Sequence, residues 1–159
     1  MKSLLLIGVF LLISGCSVNL IGKKAPPYPE GLETKYGSCV SWALGRDRFC
    51  EVSVSDLRRV GENPFAIIVQ KEIGRSGNKA IWKITDQTEW PKVHSGEYLS
   101  FGVCRLNGAV DHSIIAVVSD NEEQWHVAIN WAMRIDLNSG KFIPISPENV
   151  LCEDEGWGV

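Results

Sequence analysis

The feature that most constrains this chain is its punctuation. From residue 35 onward, short apolar or alternating stretches recur, each cut off by Gly, Asn, Asp or Ser before a long helix could develop. "GSCVSW" (37–42) and "RFCEVSV" (48–54) flank "ALGRD", which reads as a hairpin loop. "PFAIIVQKEI" (64–73) and "KAIWKIT" (79–85) flank "GRSGN", a second turn. "EYLSFGVC" (97–104) places Leu99, Phe101 and Val103 on one face, and "HSIIAVVS" (112–119) is apolar throughout its middle, as a central buried strand would be. "QWHVAINWAM" (124–133) alternates, with Trp125, Val127, Ile129 and Trp131 on the side expected to face the core. "KFIPIS" (141–146) closes the series, and Pro144 marks it as an edge. Only "VSDLRRVGE" (54–62) offers a helical turn. About seven or eight short strands predict an all-β fold, an antiparallel β-sandwich of immunoglobulin-like type. Greek-key order is expected from fold statistics alone and not from these residues.

The N-terminus is of another kind. Residues 3–17 read "SLLLIGVFLLISGCS" after a single Lys2. The apolar run Leu4–Ile13 is about half the length of a bilayer-spanning helix and fits a secretory signal. Its end, Ile13-Ser14-Gly15-Cys16, resembles a bacterial lipobox: an aliphatic residue, two small residues, then cysteine. The small residues leave room for a peptidase, and the Cys16 thiol takes a diacylglycerol. Each buried methylene contributes about 0.8 kcal/mol, so several acyl chains anchor far better than one. Ser17 in the sorting position favours the outer membrane, facing the periplasm. The expected division is therefore 1–15 signal peptide, 16–34 lipidated Cys16 and tether, and 35–159 one β-sandwich domain. Pro26, Pro27 and Pro29 make the tether read as extended polyproline, reaching up to roughly 50 Å at about 3 Å per residue.

With Lys2 assigned to the leader, the remainder holds 15 basic and 19 acidic residues, a net charge of −4. No basic stripe or nucleic-acid motif accompanies them. Setting Cys16 aside leaves Cys39, Cys50, Cys104 and Cys152, an even number in an exported chain, which points to disulfides. Four cysteines allow three pairings. A short hairpin favours Cys39 with Cys50, which would leave Cys104 with Cys152 to tie the C-terminal tail to the core. No Cys-x-x-Cys occurs and no His stands at ligand spacing from a Cys, so neither a metal nor another cofactor is expected.

Catalytic patterns are absent. "DHS" (111–113) tempts toward a triad, but neighbours on a strand point to opposite faces. There is no Gly-x-Ser-x-Gly elbow and no His-Glu-x-x-His. The six tryptophans are the unusual feature. Trp82, Trp125 and Trp131 are expected in the core, whereas Trp90 in a polar loop and Trp157 in the acidic tail are candidate partner anchors. Arg46 and Arg48 at the first hairpin tip, and Arg58 and Arg59 further on, could read a carboxylate. Glu153, Asp154 and Glu155 could meet a basic partner.

The lipobox, the stretch "PPYPEG", the strands "YGSCVSW" and "RFCEVSV" and the later single cysteines resemble small enterobacterial lipoproteins described as type VI secretion immunity periplasmic lipoproteins. The resemblance implies a tethered periplasmic domain that binds and blocks an incoming toxin, with no catalytic residue. Two other classes stand beside it: a structural or assembly lipoprotein of an envelope machine, and an envelope hydrolase assembled from separate loops.

Overall fold

A computed structural model of the chain describes residues 18–40, 50–154 and 156–157. Two stretches are buried at every residue, Ala66–Gln70 and Ser113–Val118. Side chains alternate across a strand, so such a stretch must be covered on both faces. The architecture follows from that requirement.

The first sheet holds β1 (Lys24–Ala25), β2 (Leu32–Glu33), β3 (Gly37–Cys39), β4 (Val52–Arg59), β5 (Pro64–Ser76) and β6 (Lys79–Glu89). Its order is β1-β6-β5-β4-β2, with β3 also on β4. The second sheet holds β7 (Glu97–Ser100), β8 (Cys104–Leu106), β9 (Ala109–Asp111), β10 (Ile114–Ser119), β11 (Trp125–Asp136), β12 (Lys141–Pro144) and β13 (Val150–Glu153). Its order is β7-β10-β11-β13-β8-β9, with β12 also on β11. All pairings are antiparallel.

The chain is thus an all-β, two-sheet sandwich. An immunoglobulin-type chain passes repeatedly between its sheets, whereas here β1–β6 complete one sheet before β7 begins the other. Tight hairpins produce this order. Between β5 and β6 only Gly77 and Asn78 intervene, and Gly77 takes φ 59°, the left-handed start that suits a two-residue turn between twisted strands. The stretch 54–62, expected to hold a helical turn, belongs largely to β4, where Val54 and Leu57 enter the core.

Three apolar layers result. Between the sheets, Val52, Val54, Ile67 and Val69 meet Ile115 and Ile135, with Trp131 and Met133 packed alongside. The far face of the second sheet packs Ile114, Ala116 and Val118 against Ala128, Val150 and the Cys104–Cys152 pair. The far face of the first sheet presents Leu57, Ile68 and Ile84, which Leu20 and Ala25 cover. Burying an aliphatic side chain of this size contributes about 1.5–3 kcal/mol.

That third layer corrects the expected tether. Residues 18–34 do not stand off as polyproline; they pack on the first sheet. Leu20 and Ala25 are buried, β1 pairs with β6, and β2 pairs with β4. The Leu20 N–H donates to Gln87 Oε1 at 3.0 Å, and Gln87 Nε2 donates to the Val18 carbonyl at 2.7 Å. The Tyr28 hydroxyl donates to the buried Gln70 Oε1 at 2.9 Å. Prolines exclude helix but not edge pairing, and the apolar outer face of β5 and β6 demands a cover. The domain boundary expected at residue 35 is therefore not a structural boundary.

Both favoured disulfides are present: Cys39–Cys50, and Cys104–Cys152, the latter joining directly opposed residues of β8 and β13.

Candidate functional site: a cleft between two sheet edges

A cleft of about 480 Å³ opens where β3, at the edge of the first sheet, comes near β7, at the edge of the second. Asp56 builds its first wall. This carboxylate is fully buried, and its Oδ1 accepts from the backbone N–H of Lys35 at 2.7 Å and of Tyr36 at 2.8 Å. Its Oδ2 accepts from Arg58 Nε at 2.6 Å, and the guanidinium completes an ion pair through its NH2 nitrogen. A charge-assisted arrangement of this kind fixes the bend between β2 and β3. It also commits the Arg58 charge, while Lys35 and Arg58 each lie 5.3 Å from the Tyr36 ring centre.

His126 and Tyr98 build the second wall. His126 is 2% exposed, and its Nε2 lies 2.7 Å from the Glu123 carbonyl oxygen. A carbonyl only accepts, so Nε2 carries the hydrogen; in the neutral ring Nδ1 then accepts from the Tyr98 hydroxyl, 2.8 Å away. Both ring nitrogens are thus engaged by groups of the protein. The tyrosine also packs edge-on against the imidazole, centroids 5.5 Å apart. The alternation of its strand puts His126 on the side opposite Trp125, Val127, Ile129 and Trp131, which are expected to face the core. In fact His126 and Ala128 face inward, while Val127 and Ile129 are exposed. Trp125, expected in the core, is half-buried and lies under the Arg105 guanidinium, 3.6 Å from its ring centre.

The remaining lining is aromatic and acidic. Trp90 and Phe101 sit in the cleft with ring centres 6.4 Å apart, and Asp120, Glu153 and Asp154 form one lip. Asp154 also organises the tail: its Oδ1 accepts from Gly156 N–H at 2.9 Å and its carbonyl from Trp157 N–H at 3.1 Å. Trp157 is thereby held next to the lip, half exposed. A second hollow of about 620 Å³ lies between residues 18–21 and the β5–β6 hairpin; among the described residues its one charged lining residue is Glu89.

Of the sequence candidates, Trp90 lines the cleft and Trp157 stands beside it, half-buried and exposed respectively. Cys16, Arg46 and Arg48 lie outside the described residues, as does Glu155. Arg58 joins the cleft wall through Asp56. Asp111 and Ser113 do meet, the serine hydroxyl donating to Asp111 Oδ1 at 2.5 Å, while Asp111 Oδ2 pairs with Arg134 at 2.8 Å. His112 takes no part in that cluster among the described residues. Burial raises the Asp111 pKa, but the two Ser113 hydrogen bonds and the Arg134 charge outweigh it and hold the carboxyl below its ordinary value. Sequence reasoning missed Tyr36, Tyr98 and His126. The one available signal was a histidine set between apolar neighbours in an alternating strand.

The described residues therefore define a disulfide-stapled, two-sheet β domain with an acid-lipped aromatic cleft between its sheet edges. No family model, no curated protein and no solved structure matches the chain.

Proposed function

We propose that this protein is a periplasmic lipoprotein that binds and neutralises a secreted antibacterial toxin. On this reading Cys16, at the end of the lipobox-like stretch, carries an acyl anchor facing the periplasm with the outer membrane favoured, and the rest of the chain acts as the binding module. The observation that carries the reading is the cleft. It combines large aromatic surface on Tyr36, Trp90 and Phe101 with three carboxylates on its lip, on a scaffold fixed by two disulfides. Aromatic anchors beside charged groups suit a protein partner that is gripped and steered electrostatically. Holding, with no turnover, also accords with His126, whose nitrogens are both spent on the protein itself.

The test is affinity capture of the lipidated chain from cells exposed to competitors. Recovery of one secreted toxin, inhibited at one-to-one stoichiometry, supports the reading. Recovery of envelope assembly subunits alone would instead make this a structural lipoprotein.

A further inference from the structure

We propose that the cleft takes its partner as an added β-strand: an extended, lysine- or arginine-bearing segment that pairs with the outer edge of β7, at Leu99. This rests on the reading that the cleft holds a protein, and it names the form in which that protein enters.

The hydrogen-bond phase of each edge strand carries the inference. In an antiparallel pair, directly opposed residues alternate between those that exchange backbone hydrogen bonds and those whose peptide groups point away. Asp120 N–H donates to the Gly96 carbonyl at 2.8 Å, which sets the phase for β7 against β10. Tyr98 and Ser100 then bond to β10, and the N–H and C=O of Leu99 project from the far side, where among the described residues no strand pairs with β7. Leu99 lines the cleft. The first sheet repeats the arrangement. Asp56 N–H to the Tyr36 carbonyl and Val40 N–H to the Val52 carbonyl fix the phase of β3, so that the peptide groups of Gly37 project from its outer edge, again into the cleft. An exposed edge of this sort is a template for another strand.

The charge of the lip selects the occupant. Asp120, Glu153 and Asp154 face the cleft, and among the described residues the one guanidinium in its lining, Arg58, is already paired with Asp56. A strand added to β7 would lay alternate side chains against the Trp90 and Phe101 rings and carry its cationic side chains to these carboxylates.

The probe is a blocked hexapeptide of alternating lysine and valine, offered to the full chain with both disulfides formed, in neutral detergent micelles. Two companion peptides carry glutamate for lysine, or a methyl group on every amide nitrogen. We expect saturable binding of the lysine peptide, weakened by salt, with amide hydrogen exchange at Leu99 slowed at least tenfold. The other two peptides should not bind. Leu99→Pro removes the edge donor while leaving the Tyr98 and Ser100 bonds to β10, and should abolish binding. Asp120→Lys alters only the exposed lip and should weaken binding at least tenfold, so the outcome does not hang on the proline variant folding. No binding, binding that survives methylation, or binding without protection at Leu99 would each overturn strand addition. A Leu99→Pro chain that still captures and inhibits the toxin would refute strand addition and leave the toxin reading standing. A wild-type chain that docks the peptide but captures no toxin would do the reverse.

Discussion

Thr85 and Gly140 lock the two sheets together away from the cleft. The threonine hydroxyl donates to the Gly140 carbonyl at 2.8 Å, and a Cβ on Gly140 would stand 2.5 Å from that same hydroxyl oxygen. Gly140 also takes φ 65°, a conformation that costs other residues of order 1–3 kcal/mol. Around it, Lys141 Nζ donates to the Thr85 carbonyl at 2.6 Å and Phe142 N–H to Asp86 Oδ2 at 2.9 Å. Gly140→Ala should therefore lower stability by about 2–3 kcal/mol in urea melts, and pairing it with Thr85→Ala should recover part of that loss. Equal stability of Gly140→Ala and wild type would show that the sheets are not joined here.

The packed N-terminal segment makes a prediction that a free tether would not. Leu20 is 2% exposed over the outer face of β5 and β6. Leu20→Ala should cost about 2–4 kcal/mol, against nothing for a residue in a linker. Tyr28 gives an independent reading. Burial raises its pKa above the usual 10, outweighing the opposing hydrogen bonds of Thr34 and Gln70. Ultraviolet titration of wild type and Tyr28→Phe should show that the absorbance change lost in the variant is one that occurs above the ordinary tyrosine range.

The sequence was legible where a strand needed only its own periodicity, and illegible where burial depended on a distant segment. Ile114–Ser119 reads as a central strand and is one, between β7 and β11. The alternation of Trp125–Asp136 was also correct as a period, yet period alone does not say which side is covered. Trp131 does pack between the sheets, but Val127 and Ile129 on the same side are exposed, and His126 is inside because Tyr98 and Glu123 satisfy it. Residues 18–34 were misread because three prolines obscured Leu20, Ala25 and Leu32. The clue lay elsewhere, in five consecutive buried residues of β5 that required a cover on both sides. The cleft was less legible still: Trp90 and the acidic tail were visible singly, but their meeting with β7 depends on sheet order.

The two disulfides should differ in weight. Cys104–Cys152 spans 48 residues of sequence and Cys39–Cys50 spans 11. On loop-closure grounds the first contributes about 4 kcal/mol and the second about 3 kcal/mol. Both sulfurs of the longer bridge also sit in the core under Val118 and Val150, so its removal adds a packing loss. The double alanine variant at 104 and 152 should accordingly unfold at lower urea than the variant at 39 and 50. The reverse order would contradict the packing of β8 on β13.

Acid should weaken the fold through Asp111. Its folded-state pKa lies below the ordinary value, so the carboxylate's contribution is fully present above the usual aspartate range near pH 4 and is lost as pH falls through the folded value. Asp136, held low by the Ser139 hydroxyl and the Asn138 N–H, acts in the same direction. Asp111→Asn should be less stable than wild type at pH 7, with the gap closing toward pH 2. A gap independent of pH would mean that the Arg134 pair contributes nothing.

The central claim is that the cleft between β3 and β7 holds a protein partner. The direct measurement places a photo-crosslinking side chain at Asp120 on the lip or, as a control, at Lys79 beside the β5–β6 turn, in cells under attack by competitors. One covalent adduct to a secreted toxin from position 120, and none from position 79, is the predicted result. No toxin adduct from position 120, or equal adducts from both positions, would contradict it.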